Sequence, residues 1–111
     1  MSYELNVQNG VLVAVVKEKR ATVDISGPFK EDLIKHISEG NKNVIVDLSS
    51  VEFVDSSFLG ALVAGLKKTT LVNGDLKISG LQPPVRAMFE LTRLYRIFDI
   101  FESVEEAQNS F

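Results

Sequence analysis

The feature that most constrains the fold is a short, almost wholly apolar run near the middle of the chain, Val44-Ile45-Val46-Asp47-Leu48. Its first three residues are β-branched, and apolar residues do not alternate with polar ones. This pattern is typical of a strand that is covered on both faces of a sheet, as strands of parallel sheets are. The run therefore predicts a central strand with helical crossover connections beside it.

The residues before this run predict a hairpin and a helix. Residues 3–8 alternate between apolar and polar, Asn9-Gly10 is a strong signal for a two-residue hairpin turn, and residues 11–16 are a second apolar strand. Residues 17–28 are mostly polar and are interpreted as irregular. A stripe at helical spacing then runs up to Gly40-Asn41, formed by Phe29, Leu33, Ile34 and Ile37.

A second helix is predicted directly after the polar triplet Asp55-Ser56-Ser57, because these residue types cap helices. Its apolar stripe is Leu59, Leu62, Val63 and Leu66. Gly60 and Gly65 are poor helix formers, which predicts that this helix packs closely against another element. Asn73-Gly74 ends the unit.

The last third of the chain predicts two strands and two helices. Residues 76–79 form a strand, Pro83-Pro84 begins a helical pattern that continues to Leu94, and residues 97–101 form a brief strand. Ser103 and Glu106 stand three apart, as in a capping box, and predict a short terminal helix.

The resulting order, β-β-α-β-α-β-α-β-α, predicts an α/β fold with a mixed sheet of four to five strands and about four helices. With 111 residues and no linker or repeat, we expect a single domain over residues 1–111, with its core at about 3–108.

Composition excludes several classes of function. The chain has no Cys and one His, which argues against disulfides, a metal site or a metal cofactor. Its net charge of −3 argues against nucleic acid as a partner. Neither a membrane-spanning run nor a signal peptide is evident, so we expect a cytoplasmic protein without membrane insertion. A basic strip remains open, although these residues are more often a solvated helix face: Lys67, Lys68, Arg86, Arg93 and Arg96.

Functional residues are expected where the central strand leads towards Asp55-Ser56-Ser57, because ligands and partners gather at the carboxyl ends of strands in open α/β sheets. By itself, the triplet is also explained as an ordinary helix cap. A serine nucleophile is not supported, since no Gly-x-Ser-x-Gly motif surrounds Ser56 and the one histidine, His36, is remote in sequence. We therefore expect a protein that is not an enzyme.

Residues 44–60 resemble the signature of STAS-domain anti-sigma factor antagonists, in which an apolar strand and Asp-Leu are followed by a short loop and Asp-Ser-(Ser/Thr/Ala)-Gly-Leu-Gly. Residues 73–78 and 85–98 support the match. The resemblance implies a single STAS-type domain and regulation of transcription by partner switching. It implies that Ser56 is phosphorylated by an anti-sigma factor that is also a serine kinase of the histidine-kinase-like ATPase type. The unphosphorylated form would bind that kinase and release the sigma factor, and a separate phosphoserine phosphatase would reverse the modification.

Physical chemistry is compatible with such a switch. A phosphate at a helix N-terminus meets unpaired backbone N–H groups and the positive end of the helix dipole. It also adds a charge of about −1.5 to −2, which would expel a partner surface fitted to a neutral hydroxyl.

Two positions depart from the family pattern. The usual Gly after Ser57 is Phe58, whose ring is either packed on the adjoining loop or exposed as a partner anchor. The family's Leu-Asp pair after the second strand is best matched by Val23-Asp24, with extra residues before the first helix. The partner-binding residues implied by the resemblance are thus Asp24, Asp55, Ser56, Ser57 and Phe58. The alternative function is a STAS accessory subunit of a transporter or signalling assembly, which needs no phosphate.

Overall fold

The structure is a computed structural model that describes residues 2–111. Within this range the elements follow one another as β1 (Tyr3–Gln8), β2 (Val11–Val16), β3 (Arg20–Ala21), α1 (Val23–Ser38), β4 (Asn43–Asp47), β5 (Phe53–Val54), α2 (Ser56–Leu71), β6 (Asp75–Ser79), α3 (Pro83–Leu91), a 3-10 turn (Leu94–Arg96), β7 (Ile100–Phe101) and α4 (Val104–Asn109).

Five of the strands form one mixed sheet in the order β1-β2-β4-β6-β7. β1 and β2 pair antiparallel around Asn9 and Gly10, which both have positive φ as a tight two-residue hairpin turn requires. The other neighbours are parallel. β4 occupies the middle of the sheet, and its residues Val44, Ile45 and Val46 have no exposed surface. The predicted α/β class, mixed sheet, element order and central strand are confirmed.

Helices cover the two faces of this sheet unequally. The face that carries Val44 and Val46 packs against α1 and α2 in the main hydrophobic core. The opposite face carries Ile45 and is covered through Ala107 of α4. The main core is therefore the layer between the sheet and the paired helices α1 and α2.

The prediction that residues 17–28 are irregular is wrong in two respects. Arg20–Ala21 pairs in parallel with Phe53–Val54 to form a second, two-stranded sheet. α1 then begins at Val23, well before the apolar stripe, with the backbone N–H groups of Ile25 and Ser26 bonded to the carbonyl of Thr22. Gly27 and Pro28, which disfavour helix by propensity, lie inside α1 and mask this start in the sequence.

The two glycines of α2 behave differently. A Cβ at Gly65 would stand 2.7 Å from Leu33 Cδ2 and 2.8 Å from Leu76 Cδ1, so the predicted close packing is confirmed there. A Cβ at Gly60 would meet nothing within 4 Å, so for this residue the prediction is wrong.

The predicted boundaries of the last elements also change. α3 ends at Leu91 rather than at Leu94, because Arg93 takes a left-handed conformation (φ 61) before the 3-10 turn. β7 contains only Ile100 and Phe101. Ile97, predicted to be in this strand, instead follows the 3-10 turn and is half exposed.

Candidate functional site

The N-termini of α1 and α2 meet at the side chain of Asp55. Its Oδ1 accepts the backbone N–H of Phe58 at 2.9 Å and so caps α2, as the sequence predicted. Its Oδ2 accepts the backbone N–H of Val23, the first residue of α1, also at 2.9 Å. The pairing of β3 with β5 explains this arrangement, because each of these strands ends directly before one of the helix starts.

Ser56 and Ser57 are the first two residues of α2, and both are exposed. Their hydroxyl groups and backbone N–H groups have no hydrogen-bond partner among residues 2–111. Since the first N–H groups of a helix lack intrahelical acceptors, they form a donor cluster open to solvent at the positive end of α2. Both serine side chains are thus available for chemical modification or for a partner.

A shallow groove of about 400 Å³ connects this donor cluster with α1. Lys30 is the charged residue of its lining, which otherwise consists of Ser26, Gly27, Ser56, Ser57, Gly60 and Ala61. Gly27 and Gly60 leave the groove open: a Cβ atom added at either residue would have no other atom within 4 Å. Its form suits a surface contact rather than an enclosed ligand.

Asp24 is exposed in the first turn of α1, one residue after the Val23 that bonds Asp55. The structure therefore brings this predicted partner residue to the same helix-start region as Ser56. Val23-Asp24 is itself the start of α1, whereas the sequence predicted that the helix begins later, near Phe29. An acid in the first turn is also favourable for the dipole of α1.

The suggestion that Phe58 presents its ring to a partner is wrong. The residue has no exposed surface, and its ring centroid lies 5.2 Å from that of Phe29 in α1. Phe29 in turn packs edge-on against Tyr3 at 5.1 Å. The ring is buried in the main core, which also contains Val51 and Val54 of the adjoining segment, so of the two alternatives the packed one is found.

The sequence analysis missed an exposed patch beside the motif. Phe53 is 41% exposed, and the guanidinium of Arg20 lies 4.4 Å from the centroid of its ring. Val23, at the start of α1, is 66% exposed. One signal for this patch was present in the sequence: Phe53 is an aromatic residue in a polar loop, two residues before Asp55. Its partner Arg20 could not be recognised, because residues 17–28 show no periodic pattern.

A second polar cluster stands apart from the donor cluster. The hydroxyl of Tyr3 donates to Asp32 Oδ2 at 2.5 Å, and His36 Nδ1 bonds the backbone carbonyl of Asp32 at 2.8 Å. Burial, together with the bond to Asp32, raises the pKa of Tyr3 to about 12. These residues line a different groove from that of Ser56, so His36 is not placed as its base.

Over residues 2–111, no group of three or more His, Cys, Asp and Glu side chains is arranged to hold a metal ion. In the same range, none of the helices has the combination of length and apolar character that crossing a bilayer requires.

Comparison with known proteins agrees with this architecture. A family model described as STAS domain matches residues 4–107. BtrV of Bordetella bronchiseptica, described as an anti-sigma factor antagonist, is 29% identical over 83 residues, which are 75% of this chain and 72% of that protein. The anti-sigma-B factor antagonist of Staphylococcus aureus is 27% identical over 103 residues, 93% of this chain and 86% of the relative.

Solved structures share the fold at lower identity. An anti-sigma factor antagonist from Mycobacterium paratuberculosis superposes with a TM-score of 0.88 at 20% identity, over 97% of this chain and 91% of the other. The Bacillus cell fate determinant SpoIIAA in its phosphorylated form gives 0.77 at 18% identity, with 97% of each chain covered. A sulfate transporter family protein from Wolinella succinogenes gives 0.78 at 17% identity, with 92% and 84% covered.

Proposed function

Because this chain belongs to the STAS domain family, together with relatives named as anti-sigma factor antagonists, we propose that it regulates transcription as an anti-sigma factor antagonist controlled by phosphorylation of Ser56. The unphosphorylated form binds an anti-sigma factor that is also a serine kinase, and this releases the sigma factor. The phosphorylated form does not bind, and a separate phosphatase restores it. The exchange takes place in the cytoplasm.

One observation carries the proposal: Ser56 is exposed at the N-terminus of a helix that Asp55 already caps, and its hydroxyl has no hydrogen-bond partner among residues 2–111. Both oxygens of Asp55 accept backbone N–H groups, which holds this carboxylate in its capping position beside the serine. A kinase can therefore reach the hydroxyl without unfolding the helix start.

A phosphate at Ser56 is compatible with the folded state. It would meet the free N–H groups of Ser56 and Ser57 and the positive end of the α2 dipole. Lys30 lines the same groove and adds a positive charge nearby. The modification would thus change the charge of the surface while leaving the fold intact, as a reversible switch requires.

The surroundings of Ser56 make that change of charge effective against a partner. Val23 and Asp24 are the first two residues of α1, and Phe53 lies in β5, the strand that precedes Ser56. Val23 and Phe53 are exposed apolar residues. We expect a partner that covers these residues to cover Ser56 as well, because the bond from Val23 to Asp55 holds the two helix starts together. Adding about two negative charges there would leave them desolvated beside Asp24, which disfavours the complex.

We assign the chain no catalytic activity of its own. His36, the one histidine of the chain, is not positioned as a base for Ser56, because it bonds the carbonyl of Asp32 and lines a separate groove. The kinase, an ATPase of the histidine-kinase-like type, and the phosphatase supply the chemistry in this scheme.

The second candidate is an accessory subunit of a transporter or signalling assembly that needs no phosphate. The fold similarity to a sulfate transporter family protein favours this candidate, although at 17% identity it concerns the fold alone. The two candidates differ in one respect: binding by an accessory subunit would not depend on the charge at position 56.

The proposal is tested by mapping phosphate on the protein from its native cells and by measuring binding of the full chain to the co-purified kinase. We expect phosphate on Ser56, at least about a tenfold loss of affinity in Ser56→Asp, and little change in Ser56→Ala. Ser38→Asp adds the same charge at the exposed C-terminal end of α1 and is the matched control. If Ser56→Asp binds as tightly as the unsubstituted protein, the switch is refuted and the accessory candidate is favoured.

A further inference from the structure

An apolar groove of about 530 Å³, which we call the α2 groove, runs along the C-terminal half of α2. Ile97, after the 3-10 turn, forms its other side. The lining consists of Val63, Leu66, Lys67, Thr70, Leu71 and Ile97. It contains no carboxylate, and its only charged member is Lys67.

The apolar residues of the α2 groove are unusually open to solvent. Leu71 is 80% exposed and Ile97 is 50% exposed. Single exposed apolar residues need no explanation, but two that line the same apolar groove are typical of an interaction surface.

Positive charge accompanies these apolar residues. α2 contains Lys67 and Lys68 and no acidic residue, whereas the whole chain has a net charge of −3. Arg93 and Arg96 are exposed in the segment that leads to Ile97. None of these four cations forms an ion pair within residues 2–111, where the pairs found are Lys17–Glu4 and Arg86–Glu102. Glu90 and Asp99, the acidic residues that flank Arg93 and Arg96 in the sequence, do not line the α2 groove.

We propose that the α2 groove binds an amphipathic helix of a partner protein, with a row of apolar side chains in the groove and acidic side chains along its edges. Helices that dock in grooves present such rows at positions i, i+3 or i+4, and i+7. The free cations of α2 and the 3-10 segment then pair with the acids of the partner. This charge complementarity selects the orientation and accelerates association.

Charge disfavours a second copy of the chain as the occupant. In a two-fold contact between two copies, the patch that carries Lys67 and Arg96 would meet itself, so positive charge would face positive charge without acidic partners. A single helix of complementary charge satisfies both the groove and its edges.

The α2 groove is independent of the switch at Ser56. Lys67 lies eleven residues along α2 from Ser56, or about 16 Å at 1.5 Å per residue. This exceeds the Debye length of about 8 Å at physiological ionic strength, so charge at Ser56 is largely screened at the groove. The proposal therefore stands or falls separately from the proposed function.

The test uses the full chain and a fluorescent designed peptide of about 18 residues, helical, with Leu along one face and Glu beside it. We expect saturable binding whose affinity falls as the salt concentration rises. The affinity should fall at least about tenfold in Leu71→Asp and in Ile97→Asp. It should not change in Ser56→Asp, because that residue is distant from the groove. Val7→Asp, at a 59% exposed valine of β1, is the matched control. Circular dichroism verifies that each variant is folded.

A charge exchange makes the test specific. Lys67→Glu should bind the Glu peptide several-fold more weakly and gain affinity for a peptide with Lys in place of Glu. The proposal is overturned if the Glu peptide does not bind, if its binding is unaffected by Leu71→Asp, or if Leu71→Asp instead abolishes self-association or binding to phosphatidylglycerol vesicles.

Discussion

The carboxylate of Asp55 accepts the backbone N–H of Val23 at 2.9 Å across 32 residues of sequence. Because the same side chain also caps α2 through Phe58, one acid holds the starts of two helices in fixed relation. The relationship places Ser56, Asp24 and the exposed Val23 in one region. The helix cap and the proposed interaction surface thus share one structural feature, the side chain of Asp55.

Replacing Asp55 by Ala should lower the free energy of unfolding by about 2 kcal/mol, because two backbone N–H groups lose a charged acceptor. Ser103→Ala is the matched control, since the hydroxyl of Ser103 caps α4 through a single bond to the N–H of Glu106 at 3.2 Å. We expect about 1 kcal/mol or less for this variant. Urea unfolding measures both, and equal losses would mean that the bond to Val23 contributes nothing to stability.

Phe58→Ala should destabilise the fold by about 3 to 5 kcal/mol, because the change empties core volume beside Phe29. Phe58→Leu should lose less, since most of the volume is retained. Phe53→Ala, at the exposed phenylalanine five residues earlier, should change stability by less than about 1 kcal/mol. Similar losses for Phe58→Ala and Phe53→Ala in chemical denaturation would contradict the burial of Phe58.

Gly60→Ala should raise the free energy of unfolding by about 0.5 to 1 kcal/mol, because the site has helical geometry and space for a methyl group. Gly65→Ala should be destabilising, since the added Cβ would stand 2.7 Å from Leu33. We therefore expect the midpoint temperature of thermal unfolding to rise in Gly60→Ala and to fall in Gly65→Ala. A higher midpoint in Gly65→Ala would contradict this and would show that Leu33 can move to accommodate the added Cβ.

Alkaline pH should weaken the fold through Tyr3. Its pKa is raised to about 12 in the folded state, from 10 in an unfolded chain, so the folded state holds the proton more tightly. The resulting stability is fully present below pH 10 and is lost as the pH rises through about 12. The difference in unfolding free energy between the unsubstituted protein and Tyr3→Phe should therefore shrink over this interval. A difference that stays constant would show that burial and the bond to Asp32 do not raise the pKa of Tyr3 in the folded state.

Much of the architecture was predictable because it depends on local patterns. The run at 44–48 predicted the central strand, Asn9-Gly10 predicted the hairpin, and Asp55 predicted the start of α2. Each signal reports either a repeating apolar face or a backbone conformation that few residues adopt. The element order and the α/β class follow from these signals alone.

The region around the two helix starts was only partly predictable, because its geometry depends on contacts between distant segments. β3 and β5 have two residues each, too few to show a period, and they exist because they pair with each other. The start of α1 was masked by Gly27 and Pro28, and its first N–H is satisfied by Asp55 rather than by a local cap. The side of α2 to which Phe58 turns was likewise undecided until α1 supplied Phe29 as its neighbour.

The sequence by itself thus determined the strands of the main sheet, the presence and order of the four helices, and that a capped serine begins α2. Only the tertiary structure decided that the N-termini of α1 and α2 converge, that Phe58 belongs to the core and that the groove beside Leu71 stays open. The physical reason is range: propensity and periodicity act over a few residues, whereas burial and the pairing of Val23 with Asp55 require segments that are remote in the chain to meet.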